Sequence, residues 1–158
     1  MTVFFLVRHA VTSHTGHKLT GWLPDVHLTD EGREQAEATA QALRGVHFEG
    51  IFSSPIDRTL ETARIVAAPH KLRVSVRKSL GEVEYGRWTD RPLKSLMRTR
   101  LWRTVQSWPS GATFPDGESL REVQNRAIDE IETIRAGHRG PVCVVSHGDV
   151  IKLITAHY

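Results

Sequence analysis

The chain has 158 residues, 39% of them apolar and 25% charged, and its 21 basic and 18 acidic side chains leave a net charge of +3. That length predicts one domain over 1–158 with a sizeable core, and the composition excludes a disordered chain. No apolar run approaches the roughly 18 residues of a membrane span, and the basic residues lack the aromatic-laced stripe of a nucleic-acid binder.

In chain order, four short apolar runs predict buried strands: Val3 to Val7, Gly50 to Phe52, Leu72 to Val76 and Val142 to Val145. Helical patterns lie between them. Thr29 is an N-cap candidate, followed by Asp30 and Glu31 where acidic side chains suit the helix dipole, then by Ala36, Ala40 and Leu43 on one narrow face. A second helix is expected from just after Pro55 to about Ala67. A third follows the capping box Ser119-x-x-Glu122, with Val123, Ala127, Ile131 and Ile134 as its apolar face. Alternating strands and helices predict an α/β fold, a three-layer sandwich with a mostly parallel central sheet and helices on both faces. The stretch 89–117 fits neither pattern and is expected to be a flap over one end of the sheet. The first strand starts at Thr2 or Val3, leaving no room for a signal peptide, and the single Cys143 cannot form an intrachain disulfide. Both features are expected of a cytoplasmic protein.

The polar residues after each strand raise the functional question. Arg8 and His9 follow the first; Ser53, Ser54 and Pro55, then Arg58, follow the second; Glu82 comes after the third, and His147 after the fourth. Ligands of open parallel sheets bind beyond the strands' carboxyl ends, so the topology predicts that these side chains share one crevice. Two arginine forks suit phosphate oxygens, and a helix opening near Pro55 adds backbone N–H groups. His9, with an unperturbed pKa of about 6.5 lowered by nearby cations, would be neutral enough to attack phosphorus. Glu82 would give a proton to the leaving oxygen and then activate water, while His147 would donate a hydrogen bond to an equatorial oxygen. The arginines and histidines supply the positive charge, so no metal and no cofactor are expected.

These residues stand in LVRHA, SSPIDR, GEVEYGRW and SHGD, and with LTGW, LTDEGREQA and PDGES they resemble the histidine phosphatase superfamily, the phosphoglycerate-mutase-like proteins. The resemblance implies a phosphohistidine on His9, phosphate binding by Arg8, Arg58 and His147, and Glu82 as general acid and base. It adds Thr20 and Gly21 of LTGW as substrate-binding residues. The sequence departs from the family pattern in two places. Ala10 replaces a glycine, and Thr15 replaces an asparagine, leaving a hydroxyl to reach phosphate. The chain also ends eleven residues past His147, so the C-terminal part of the family domain is expected to be absent.

The expected activity is hydrolysis of a small phosphorylated metabolite, with no nucleic-acid or membrane partner. The sequence fixes no oligomeric state and allows a dimer. The alternatives are a cofactor-dependent phosphoglycerate mutase, disfavoured by the short segment between Glu82 and His147, and a non-catalytic phosphate-binding module, disfavoured by the presence of both His9 and Glu82. Glu84 could be mistaken for the acid, because alternation along an extended segment puts Glu82 and Glu84 on one side; the spacing to Gly86 selects Glu82. A zinc site of His9, His14 and His17 lacks the Cys or carboxylate needed to fix a tetrahedron. His27, His47, His70, His138 and His157 are expected at the surface, and Trp102 and Trp108 in the packing of the flap.

Overall fold

The apolar runs form β1 (Val3–Arg8), β2 (Gly50–Ser53), β3 (Val74–Val76) and β4 (Pro141–Ser146) in a computed structural model that describes residues 1–158. All pairings are parallel and the order is β1-β4-β2-β3, so β4 lies inside the sheet between β1 and β2. The third strand is shorter than its apolar run. Leu72 lies outside it and packs as a half-buried side chain beside Phe48 and Val66.

Strand alternation divides the core into two layers. Val142 and Val144 face one way, against Leu120, Val123, Ala127, Ile131 and Ile134 of α5 (Leu120–Gly137) and Val150 and Ile154 of α6 (Gly148–His157). Cys143 and Val145 face the other way, with Ile51, against Ala63, Val66 and Ala67 of α2 (Asp57–Ala67). The first helix, α1 (Asp30–Leu43), lies beside α2 and buries Ala36 and Ala40. The structure is thus the expected α/β sandwich with helices on both faces.

The helix starts follow their local chemistry. Thr29 Oγ1 accepts from Gly32 N at 3.1 Å, and at α5 the reciprocal box forms, Glu122 N donating to Ser119 Oγ and Ser119 N to Glu122 Oε2. Within 89–117 the chain forms two short helices, α3 (Leu93–Leu96) and α4 (Arg100–Ser107). Leu96 is buried and Trp102 packs on Trp88, their centroids 6.5 Å apart. Trp108 departs from expectation: it is 65% exposed rather than packed. His70 and His138 also depart, being half-buried with their rings edge-on to Phe48 and Phe52, whereas His27, His47 and His157 are exposed. No helix is long and apolar enough to cross a membrane.

Candidate active site

The strand register brings the predicted residues together. Arg8 is level with Ser146, and Ser53 with Val145, so β1, β4 and β2 end on one line and release Arg8-His9, Ser146-His147 and Ser53-Ser54 into the same crevice. Arg58 enters from the first turn of α2 and Glu82 from the segment that follows β3. The cleft has a volume of about 220 Å³, and Arg8, His9, Thr15, Thr20, Arg58 and Glu82 line it.

His9 is held as a neutral ring with one unprotonated nitrogen. Its Nδ1 lies 2.8 Å from the Ala10 carbonyl, to which it donates, and Arg58 Nε donates to its Nε2 at 3.3 Å. The Ala10 peptide is itself fixed, since its N–H donates to Thr62 Oγ1 at 3.1 Å. Burial brings the His9 pKa down to about 4; the Ala10 bond opposes this and the Arg58 and Arg8 charges add to it. Nε2 is therefore unprotonated at neutral pH, its lone pair accepting from Arg58 Nε.

Arg58 is 1% exposed and has no carboxylate partner. Its Nη2 donates to the Gly21 carbonyl at 2.8 Å and to His147 Nδ1 at 3.3 Å, while its Nη1 has no partner at all. A buried guanidinium N–H without an acceptor is costly, and it marks a place where an anion's oxygen belongs. Gly21 meets Arg58 through its carbonyl rather than lining the cleft. Its φ of +55°, with a Cβ that would sit 3.3 Å from Tyr85 Cδ2, explains the glycine there. Thr15 lines the cleft with its hydroxyl already accepting from Thr12 N at 2.9 Å.

Glu82 and Glu84 do not share a side. Glu82 is 8% exposed and lines the cleft, whereas Glu84 is exposed and lies on another surface beside Trp22 and Lys78. The segment is not a strand. Its path is set by a 3₁₀ turn at Gly86–Trp88 and by external anchors, so period-two alternation does not apply. Trp22 Nε1 donates to the Glu82 carbonyl at 2.6 Å, and Arg126 of α5 donates to the carbonyls of Ser79, Gly81 and Glu82 while paired with Glu118 at 2.7 Å. Gly86 has φ +52°, and a Cβ there would meet the Pro115 carbonyl at 2.1 Å, so the PDGES stretch packs directly on this turn. Burial and then the charge of Asp149 raise Glu82 to about 7, against the Val83 N–H and the Arg58 and Arg126 charges. A carboxyl titrating near neutrality can act as both acid and base.

His147 is fully buried. Burial, then the Arg58 charge, depresses its pKa well below the ordinary value, so the 3.7 Å approach of its Nδ1 to Glu82 Oε2 is a contact of a neutral ring rather than an ion pair. In this state it offers no N–H to the cleft. Arg58 donates to its Nδ1, and its Nε2 lies 2.8 Å from Ser54 Oγ.

Several residues at the site escaped sequence reasoning. Tyr85 and Asp149 both line the cleft, with Tyr85 OH donating to Asp149 Oδ2 at 2.7 Å. Lys18, Lys152, Leu93 and Trp102 also line the cleft, and α6 begins at it with no side-chain cap on its first N–H groups. The signal for α6 was its apolar spacing after SHGD; Lys18 and Trp102 carried no local signal.

The cleft thus sets a buried, unneutralised arginine between two neutral histidines, with a protonatable carboxyl opposite, an arrangement whose chemistry suits an anion. A sequence profile of the histidine phosphatase superfamily (branch 1) matches residues 4–158, and the chain belongs to that superfamily. It is 32% identical over 151 residues to phosphoserine phosphatase 1 of Hydrogenobacter thermophilus, covering 93% of this chain and 71% of that protein. It is 33% identical over 153 residues to a probable phosphoglycerate mutase of Yersinia enterocolitica, covering 94% and 70%. Among solved structures, a mycobacterial glucosyl-3-phosphoglycerate phosphatase superposes with a TM-score of 0.86 at 26% identity, covering 96% of this chain and 76% of that one. The α-ribazole phosphatase of Shigella flexneri superposes with a TM-score of 0.84 at 26% identity, covering 98% and 78%.

Proposed function

We propose that the protein is a phosphomonoesterase acting on small phosphorylated metabolites through a phosphohistidine on His9. The observation that carries this reading is the buried Arg58 guanidinium, with Nη1 unpartnered and Nε 3.3 Å from His9 Nε2. It holds an anion's oxygen beside the nucleophilic nitrogen. In the first step His9 Nε2 forms a bond to phosphorus, the phosphorus–oxygen ester bond breaks, and Glu82 gives its proton to the departing oxygen. In the second, water attacks phosphorus, the Glu82 carboxylate takes the water's proton, the nitrogen–phosphorus bond breaks and inorganic phosphate leaves. Arg8 and Arg58 hold the phosphoryl oxygens throughout, and Thr15 and Thr20 contact the substrate. These cations and the α6 N-terminus supply the positive charge, so the reaction is metal-independent.

The small cleft supports a small substrate, and the phosphatases among its relatives support hydrolysis over mutase chemistry. Rapid quenching with a ³²P-labelled phosphomonoester should trap an acid-labile label on His9. Hydrolysis unaffected by a bisphosphoglycerate primer supports the phosphatase; primer-dependent isomerisation without phosphate release would make it a mutase. We place the protein in the cytoplasm, where phosphorylated metabolites and reduced cysteines such as Cys143 occur.

A further inference from the structure

We propose that Ser54 is a positioning residue that lets His147 change from hydrogen-bond acceptor to donor when a phosphoryl group enters the site. The inference rests on the phosphatase reading above and concerns a residue with no contact to the cleft.

The starting state follows from the partners. A guanidinium can only donate, so the 3.3 Å contact from Arg58 Nη2 makes His147 Nδ1 an acceptor. The ring is neutral and carries one proton, which is therefore on Nε2, and Nε2 donates to Ser54 Oγ at 2.8 Å. In this tautomer His147 has nothing to offer a phosphoryl oxygen. Two acceptors would face each other.

Ser54 can accommodate the other tautomer without moving. Its backbone is pinned, N–H donating to the Val145 carbonyl at 3.1 Å and its own carbonyl accepting from Ser53 Oγ at 2.9 Å and Thr59 Oγ1 at 3.1 Å. Its Oγ accepts from Ile56 N at 3.3 Å, which leaves one lone pair and one proton for His147. The hydroxyl therefore accepts from Nε2–H in the free enzyme and, by rotation about Cβ–Oγ, donates to a bare Nε2 in the complex. The ring proton then resides on Nδ1 and points at the phosphoryl oxygen that has drawn Arg58 away. The change needs one proton to leave Nε2 for solvent and one to reach Nδ1 from solvent as the site opens to take substrate, so the ring carries one proton in each state and none is gained or lost overall. A methyl group at 54 would satisfy neither state, and a carboxylate would lock the first.

The test reads the proton directly. In protein with ¹⁵N-labelled histidine, the free enzyme should show His147 protonated on Nε2 alone, and enzyme saturated with orthovanadate should show it on Nδ1 alone. The same nitrogen protonated in both states, or both nitrogens protonated in the complex, overturns the inference. Neither measurement needs a variant. Ser54→Ala should lower kcat about 10–100-fold with KM within about threefold, because a group that orients a transition-state donor is lost rather than a binding contact. Wild-type kcat in that variant also overturns it. A wild-type enzyme that neither binds vanadate nor hydrolyses any phosphomonoester overturns the phosphatase reading and this inference with it, a result distinct from normal turnover with an unchanged tautomer.

Discussion

At the residue scale, the site reverses the order of two titrations, since the ordinary values of 6.5 for histidine and 4.5 for glutamate leave no pH at which the one is mostly neutral and the other mostly protonated. In the proposed reaction His9 acts only when neutral and Glu82, in the first step, only when protonated. Burial lowers the one to about 4 and raises the other to about 7. For an alkyl phosphate, kcat/KM should therefore rise as the pH passes about 4 and fall as it passes about 7, giving a mildly acidic optimum. In Glu82→Gln the upper limb should vanish and the rate drop about 10²–10⁴-fold. The loss should shrink for p-nitrophenyl phosphate, whose leaving group needs no proton, while Glu84→Gln should change little. His9→Ala should lower turnover by roughly 10³-fold or more and abolish the acid-labile label, with an unchanged circular dichroism spectrum.

At the scale of elements, the segment between β3 and the Gly86 turn is the part least able to hold its own shape. Beyond one 3₁₀ turn at Lys78–Leu80 it has no ladder or helix; the carbonyls of Ser79, Gly81 and Glu82 are held by Arg126 and Trp22, and that of Leu80 by Ser146 Oγ, all from elsewhere. Arg126→Ala should destabilise the protein by about 2–4 kcal/mol, since it removes charge-assisted bonds to three carbonyls and leaves Glu118 unpaired in a half-buried site. It should also cost about 10–100-fold in kcat by displacing Glu82, although Arg126 does not line the cleft. Urea melts together with kinetics on the folded fraction will separate the two effects. Arg126→Lys should recover only part of either, because an ammonium cannot fork to several carbonyls.

At the scale of the whole molecule, the fold keeps a carboxyl buried where solvent would ionise it, and that has a consequence for stability. The folded state holds the Glu82 proton up to about 7, whereas the unfolded chain releases it near 4.5. The contribution of this group is thus fully present below about 4.5 and is lost as pH rises through 7. The melting temperature of Glu82→Gln should rise relative to wild type between pH 5 and pH 8.5, as scanning calorimetry would detect. Activity should be unchanged in excess chelator. The whole-molecule arrangement already gathers Arg8, Lys18, Arg58, Lys152 and the α6 terminus around one cleft, and inhibition reversed by zinc or magnesium would refute this.

The sequence by itself determined the α/β layering and which polar residues meet beyond the strands' carboxyl ends. Apolar runs set which strands are buried, capping residues set where α1 and α5 begin, and parallel topology obliges the polar residues after each strand to meet. Those are local or topological constraints, and they are written in consecutive residues. What only the tertiary structure decided depends on contacts between distant segments. Glu82 and Glu84 part company because Trp22 and Arg126 set the backbone path between them. Arg58 is left with a vacant N–H because the Gly21 carbonyl and His147 occupy its other nitrogen, and Ser54 is matched to His147 across 93 residues of chain. Burial, which lowers His9 and raises Glu82, belongs to the packed molecule, so the protonation states that the proposed chemistry needs are set by the fold.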